Sequence, residues 1–173
     1  RFWPMSRTAH PKQFIDIIGT GTTLIQQTYQ RFMGICPPEN VFVVTHELYK
    51  KQILQQLPAL TEDQVLLEPS RRNTAPCIAY AAYKILKKNP DANLVVAPSD
   101  HLILSEDIFR EKIKTALQAA GENDWLITLG IKPSRPDTGY GYIQFNRTSY
   151  DARYNGLHRV KTFTEKPSHE LAV

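Results

Sequence analysis

Charged side chains stand where two short apolar segments of this sequence end. Asp100 follows residues 93–97, and Glu165 and Lys166 follow the alternating segment 158–164. A carboxylate held at the end of a buried strand suits a hard cation such as Mg²⁺, which takes oxygen ligands in proteins. The same place also suits an aspartate that caps a turn. The residues alone therefore leave Asp100 with two roles, metal ligand or turn residue.

Cations near the beginning of the chain offer a second kind of chemistry. Arg1, Arg7 and Lys12 lie in a proline-containing loop ahead of the first predicted helix. Phosphoryl transfer depends mainly on positioning the phosphates and offsetting their charge, and cations on an irregular segment beside a strand end could do both. Cations that are simply solvated would give the same pattern.

A helix start and a pair of glycines complete the candidate sites. Asn73 and Thr74 precede Ala75 and a proline, which is an ordinary helix N-terminus but also one that offers free backbone N–H groups to a nucleotide. The small side chain of Ala75 would let a flat base approach. Gly139 and Gly141 would let the backbone lie against a ligand, or would form a plain turn.

Strands and helices must bring these residues together, and the hydrophobic pattern predicts both. The predicted strands are residues 41–45, 64–68, 93–97 and 125–131. The predicted helices are residues 22–33, 46–57, 74–88 and 105–120. This alternation predicts an α/β fold with a Rossmann-like, mostly parallel sheet covered by helices on both faces. After residue 132, alternating segments at 142–145 and 158–164 predict an antiparallel extension.

Composition narrows the classes of function. The 173 residues carry 21 Lys and Arg against 17 Asp and Glu, a net charge of +4 at pH 7, and this length suits one domain. The basic residues form only scattered pairs, which argues against nucleic acid, and no apolar run is long enough to span a membrane. Cys36 and Cys77 lack disulfide-framework or zinc spacing, which favours a reducing cytoplasm. Because the first residue is Arg1 and not Met, we expect the chain to begin inside a longer protein.

Five ordered segments resemble the motifs of mannose-1-phosphate guanylyltransferases, and the resemblance spans the whole chain. The segments are RFWPMSR with PKQF (residues 1–7 and 11–14), EP with NTAP (68–69 and 73–76), APSDH (97–101), TGYGYI (138–143) and FTEKP (163–167). In that family a glycine-rich G-G-x-G-T precedes the arginine, and further sugar contacts and a second metal-binding carboxylate follow the E-K-P motif. The chain therefore resembles an interior part of a nucleotidyltransferase domain of the nucleotide-diphospho-sugar type.

The resemblance implies a role for each matching residue. Arg1 and Lys12 resemble the triphosphate-binding cations, with Lys12 next to the reacting α-phosphate, and Asp100 resembles the Mg²⁺ ligand. These three are the expected catalytic residues. The other residues expected to contact the nucleotide are Glu68, Asn73, Thr74, Ala75 and Ser99. Those expected to contact the sugar and its phosphate are Gly141, Glu165 and Lys166. Within a partial domain of residues 1–173, residues 1–131 would form the nucleotide-binding core and 132–173 the beginning of the sugar-binding part.

The implied reaction is attack of mannose 1-phosphate on the α-phosphorus of GTP, which releases pyrophosphate and gives GDP-mannose, with Mg²⁺ as cofactor. The resemblance also implies a homo-oligomer without nucleic-acid or membrane partners. A sister pyrophosphorylase with another base or sugar is one alternative, and a non-catalytic nucleotide-binding module of the same fold is the other. A polypeptide limited to residues 1–173 is expected to be inactive, because the glycine-rich loop and the second carboxylate are absent from it.

Overall fold

The computed structural model describes residues 2–70 and 73–173, and the chain divides into two compact units. The first unit extends to Lys114 and the second begins at Thr115. The helices are α1 (Leu24–Phe32), α2 (Lys50–Gln56), α3 (Thr74–Leu86), α4 (Glu106–Glu122) and α5 (His169–Ala172). The strands are β1 (Val43–Thr45), β2 (Val65–Leu67), β3 (Gly141–Tyr150) and β4 (His158–Glu165). Short 3-10 helices lie at Lys12–Phe14, Pro38–Asn40, Glu47–Tyr49 and Glu62–Gln64. None of the helices among the described residues is both long and apolar enough to cross a bilayer.

Strands β1 and β2 form a parallel pair joined through α2, as the α/β prediction requires. Val43 pairs with Val65 and Thr45 with Leu67. Parallel neighbours need a crossover connection, and α2 supplies it. The core of this unit contains Phe14, Ile25, Ile53, Leu57, Leu60 and Val65. The fold class is therefore confirmed for this part of the chain.

Side-chain amides fix the helices of the first unit against each other. The Gln26 carboxamide accepts the Thr23 backbone N–H at 2.9 Å, which satisfies a donor at the beginning of α1. Gln26 also donates to the Gln56 carbonyl at 2.9 Å, and Gln56 in turn donates to the Phe14 carbonyl at 3.1 Å. The end of α2 thus holds both α1 and the 3-10 helix Lys12–Phe14 in place.

Two predicted strands, residues 93–97 and 125–131, are corrected by the structure. Neither segment has regular secondary structure, and among the described residues neither joins a sheet. Leu94, Val95 and Val96 are each more than a third exposed, so this segment is not covered on both faces as predicted. A run of apolar residues predicts an extended backbone, whereas a strand also requires a neighbour for its N–H and C=O groups.

The second unit contains the predicted antiparallel pair. Gly141 of β3 lies opposite Glu165 of β4, and Tyr142 lies opposite Thr164. The connection between these strands is anchored by Tyr154, which is 1% exposed and donates its hydroxyl hydrogen to Glu122 Oε2 at 2.5 Å. This hydrogen bond lowers the pKa of the Glu122 carboxyl. The end of α4 and the hairpin are therefore joined within one unit.

Candidate active site

Lys12 and Asp100 form an ion pair between Nζ and Oδ2. The sequence predicts both as site residues, and within the first unit they are far apart in sequence. Their side chains are 36% and 22% exposed, so the pair is partly open to solvent. His101 Nε2 lies 3.9 Å from the other oxygen of Asp100. The carboxylate therefore already holds one cationic group and has its second oxygen close to a histidine.

The backbone around Lys12 is fixed although its ammonium is partly exposed. Lys12 begins a 3-10 helix that follows Pro11, and the Phe14 N–H donates to the Pro11 carbonyl at 3.0 Å. The Phe14 side chain is 2% exposed and lies in the core. Burial of Phe14 thus anchors the turn and leaves the Lys12 stem free to reach a ligand.

Asp100 lies in a turn that follows residues 93–98, a segment without regular secondary structure. Ser99, its neighbour in that turn, is half-buried. Behind the turn, Arg31 of α1 donates from Nη2 to the His101 carbonyl at 3.4 Å. Arg31 belongs to none of the sequence motifs above. The sequence does contain one indication of its importance: Arg31 is a cation on the apolar face of α1, about one turn after Thr28.

The predicted nucleoside residues lie between β2 and the start of α3. Glu68 follows β2, is half-buried, and donates its N–H to the Thr45 carbonyl at 2.9 Å. Thr74 and Ala75 form the exposed first turn of α3. Asn73 is exposed and its side chain makes no capping hydrogen bond. The capping explanation for Asn73 is therefore not supported by the geometry.

The Asn73 backbone is strained. Its φ is +67° and its ψ is −168°, a region that is essentially restricted to glycine. The usual tolerance of asparagine for positive φ applies to the left-handed helical region, which has a different ψ. Among the described residues, the only other non-glycine residue with positive φ is Lys166, at +45°. Both strained residues are thus predicted site residues, and such strain clusters at functional sites.

The predicted sugar residues come together in the second unit. A Cβ atom on Gly141 would lie 2.8 Å from Glu165 Oε2, so only glycine leaves room for that carboxylate where it is. Lys166 Nζ lies 3.4 Å from Glu165 Oε1, and the Lys166 N–H donates to the Tyr140 carbonyl at 3.1 Å. Glu165 and Lys166 are 73% and 66% exposed, which leaves both charges available to a polar ligand.

Arg1, the remaining predicted site residue, lies outside the described residues. The contacts above form one group in each unit, an ammonium–carboxylate pair in the first and a glycine with an adjacent carboxylate and ammonium in the second. Cationic groups beside carboxylates, in an α/β protein, are suited to bind phosphorylated ligands.

Comparison with known proteins gives the family. The chain belongs to the nucleotidyl transferase family, whose model matches residues 1–172. It is 39% identical, over 99% of its length, to the alginate biosynthesis protein AlgA of Pseudomonas aeruginosa, and covers 35% of that protein. It is 37% identical, also over 99% of its length, to mannose-1-phosphate guanylyltransferase 2 of Escherichia coli O157:H7, and covers 36% of it.

A solved structure supports the same assignment. The crystal structure described as mannose-1-phosphate geranyltransferase from Thermus thermophilus superposes with a TM-score of 0.85 at 32% identity, over 98% of this chain and 48% of that one. The α/β fold of the nucleotidyltransferase type is therefore confirmed. The chain spans about a third of the length of the curated relatives named above.

Proposed function

We propose that this chain is part of a mannose-1-phosphate guanylyltransferase, which forms GDP-mannose and pyrophosphate from GTP and mannose 1-phosphate. The observation that carries the proposal is the contact between Lys12 and Asp100, two residues that the motifs assign to one reaction centre. The relatives that bear this name are 37% identical to the chain over 99% of its length, which supports the choice of base and sugar.

The residues of the first unit bind and polarise the triphosphate. In the reaction an oxygen of mannose 1-phosphate bonds to the α-phosphorus of GTP, and the bond from that phosphorus to the oxygen bridging to the β-phosphate breaks. Lys12 offsets the charge that develops on the α-phosphate, and Arg1 binds the phosphates that leave. The nucleotide is contacted by Glu68, Asn73, Thr74, Ala75 and Ser99. Of these, Asn73, Thr74 and the backbone around Ala75 form part of the nucleoside pocket. Because two anions must approach each other, charge compensation is the main requirement of this chemistry.

The Asp100 carboxylate fits a magnesium ion. Its oxygens are the type of donor that Mg²⁺ prefers, and one or two carboxylates suffice when phosphates and water supply the other ligands. The contact of the Lys12 ammonium with Oδ2 supports a magnesium site, because it shows that this carboxylate oxygen can hold a cation. Among the described residues no cluster of three or more metal-binding side chains occurs, so Asp100 would act together with the substrate oxygens. When bound, Mg²⁺ would neutralise phosphate charge and help stabilise the leaving pyrophosphate.

The residues of the second unit are assigned to the sugar phosphate. Glu165 accepts hydrogen bonds from sugar hydroxyl groups, and Lys166 pairs with the phosphate. Gly141 has no Cβ and so leaves room for the Glu165 carboxylate. We assign the nucleotide-binding core to residues 1–131 and the beginning of the sugar-binding part to residues 132–173. We also propose a cytoplasmic, self-associating enzyme; the free thiols of Cys36 and Cys77 are consistent with a reducing compartment.

The test uses the complete polypeptide that contains this chain. Thermal unfolding is measured with GTP, ATP, UTP or dTTP in the presence of Mg²⁺, and GDP-mannose and pyrophosphate are then quantified with mannose 1-phosphate as second substrate. We expect GTP to give the largest rise in Tm, because a ligand stabilises the state that binds it, and we expect equal amounts of the two products. A larger shift with another nucleotide would indicate a sister pyrophosphorylase, and binding without turnover would indicate a non-catalytic module.

A further inference from the structure

Arg31 carries a buried positive charge in the last turn of α1. Its side chain is 3% exposed, and it shares the buried face of the helix with Leu24, Ile25 and Thr28. An apolar residue would be the ordinary occupant of this position. Because a buried charge is costly unless it is paired and hydrogen-bonded, the contacts of Arg31 indicate what the charge is for.

The guanidinium group is held from three sides. Its Nε lies 3.4 Å from Glu106 Oε1 at the beginning of α4, and its Cζ lies 5.7 Å from the centre of the Phe109 ring. Its Nη2 donates to the backbone carbonyl of His101 at 3.4 Å. Nε itself makes no aligned hydrogen bond within the part of the chain that is described. The hydrogen bond from Nη2 to His101 is thus a directional contact of the Arg31 guanidinium. Its contacts with Glu106 and Phe109 are an ion pair and a cation–π contact.

The carbonyl that Arg31 contacts belongs to the segment that carries Asp100. Residues 98–104 have no helical or strand structure, so their own backbone hydrogen bonds do not fix their shape. Side chains from two other parts of the described chain reach this segment. Lys12 pairs with the Asp100 carboxylate, and Arg31 binds the next residue's carbonyl. In the proposed reaction Lys12 turns to the phosphates. The hydrogen bond from Arg31 to the His101 carbonyl is then the contact of these two that persists when a nucleotide binds.

We propose that Arg31 is a positioning residue for nucleotidyl transfer: it holds the Asp100–His101 turn from behind, and so keeps the Asp100 carboxylate where the metal-bound triphosphate needs it. The inference rests on the function proposed above. Arg31 contacts neither the carboxylate nor a substrate, so its effect on the reaction is exerted through the backbone of residues 98–104.

Arg110 provides a matched control. It pairs with the same Glu106 at 2.9 Å and donates from Nε to the Arg31 carbonyl at 3.1 Å. Its other acidic partner is Asp107, at 3.3 Å. Arg110 therefore shares the ion-pair network and the α1–α4 contact, but its contacts are with the helices and not with the His101 carbonyl.

The experiment compares Arg31→Lys with Arg110→Lys in the complete polypeptide. The rate of thermolysin cleavage within residues 98–104, which rises when this segment opens locally, is measured without metal or nucleotide, and the Mg²⁺ concentration for half-maximal GTP binding is measured separately. Lysine keeps the charge but cannot pair with Glu106 and donate to His101 at once. We expect Arg31→Lys to raise both values by about tenfold, the scale of losing one hydrogen bond from a charged donor. We expect Arg110→Lys to leave both within about twofold of the unaltered protein, because it loses no bond of that kind to the turn.

Equal values for a folded Arg31→Lys and for Arg110→Lys would overturn the inference. If Arg31→Lys does not fold, Glu106→Gln takes its place. Weakening the anchor of the guanidinium should raise the rate of thermolysin cleavage within residues 98–104 about threefold, a fraction of the effect of losing a charged donor, and an unchanged cleavage rate would overturn the inference. The proteolysis measurement needs neither GTP nor turnover. Failure of the proposed function would instead appear as a lack of Mg²⁺-dependent GTP binding by the unaltered protein.

Discussion

At the scale of single residues, we expect substitutions of Lys12 and of Asp100 to change the Mg²⁺ dependence of turnover in different ways. Lys12→Ala should lower kcat by about 10²–10³-fold, the scale of losing one preorganised charge-stabilising group. The Mg²⁺ requirement should not rise, because the Asp100 carboxylate loses a competing cation. Asp100→Asn is nearly isosteric and should abolish Mg²⁺-dependent turnover. The measurement is kcat as a function of Mg²⁺ concentration for each variant.

The control for that pair is Lys50, whose Nζ lies 2.6 Å from Glu62 Oε2 in an ion pair outside the proposed site. Lys50→Ala should leave kcat and the Mg²⁺ response unchanged, because an exposed ion pair contributes only about 0–1 kcal/mol to stability. A Lys12→Ala variant with a kcat within a few-fold of the unaltered protein would return Lys12 to the role of a solvated loop charge.

Substitutions of Asn73 distinguish its contribution to GTP binding from the effect of its strained backbone on stability. Asn73→Gly should weaken GTP binding, because the side chain is lost, while the free energy of unfolding stays equal or rises by about 1 kcal/mol as the strain at φ +67° is relieved. Asn73→Ala should weaken GTP binding similarly but be less stable than Asn73→Gly, because its Cβ keeps the strain. Calorimetric titration with GTP and urea unfolding measure the two effects. Unchanged GTP affinity in a destabilised Asn73→Gly would assign a purely structural role.

Gly141 gives the corresponding prediction for the sugar. In Gly141→Ala the new Cβ would lie 2.8 Å from Glu165 Oε2, so the carboxylate must move. Because Glu165 is 73% exposed, the movement should cost little stability, but KM for mannose 1-phosphate should rise about tenfold, which corresponds to one misplaced hydrogen bond of a charged group. KM for GTP should stay the same. Gly130→Ala, with no heavy atom within 4 Å of its Cβ, is the matched control, and equal kinetics in the two variants would contradict the assignment.

At the scale of elements, the helices were predictable because their signals are local. Residues 22–33 and 105–120 were predicted, and α1 and α4 lie at Leu24–Phe32 and Glu106–Glu122. Apolar period and end residues act within a few turns, so the sequence around each helix contains the needed information. The β3–β4 pair was predictable for the same reason, since the alternation of apolar and polar residues is a local signal. The structure does not give these strands a buried face, because every residue of β4 after His158 is exposed.

Features that depend on distant parts of the chain were not predictable in the same way. Residues 93–97 have the pattern of a strand, but pairing depends on a neighbour, and none of the described residues supplies one. The strain at Asn73 lies in its φ of +67° and ψ of −168°, and an asparagine side chain does not predict that backbone conformation. Arg31 was missed because a cation near a helix end is unremarkable until its burial is known. The motif order, in contrast, identified Lys12 and Asp100 as residues of one site.

At the scale of the whole molecule, the apolar segments 93–97 and 125–131 both expose hydrophobic side chains. Leu126 is fully exposed, Ile131 is 84% exposed and Val96 is 58% exposed. Exposed apolar side chains favour association, and segments that have no ladder partner among the described residues can offer N–H and C=O groups to another chain. A polypeptide of residues 1–173 is therefore expected to self-associate and to bind a hydrophobic dye.

The test of that expectation is light scattering and ANS fluorescence of residues 1–173 with both segments altered. Val96→Ser combined with Leu126→Ser should reduce both the apparent mass and the dye signal, because each substitution removes an exposed apolar side chain from one of these segments. Leu48→Ser is the control, since Leu48 is 70% exposed but lies in the short 3-10 helix Glu47–Tyr49. An equal reduction by Leu48→Ser would mean that total apolar exposure, and not the segments 93–97 and 125–131, drives association. A monomer without dye binding would contradict the expectation altogether.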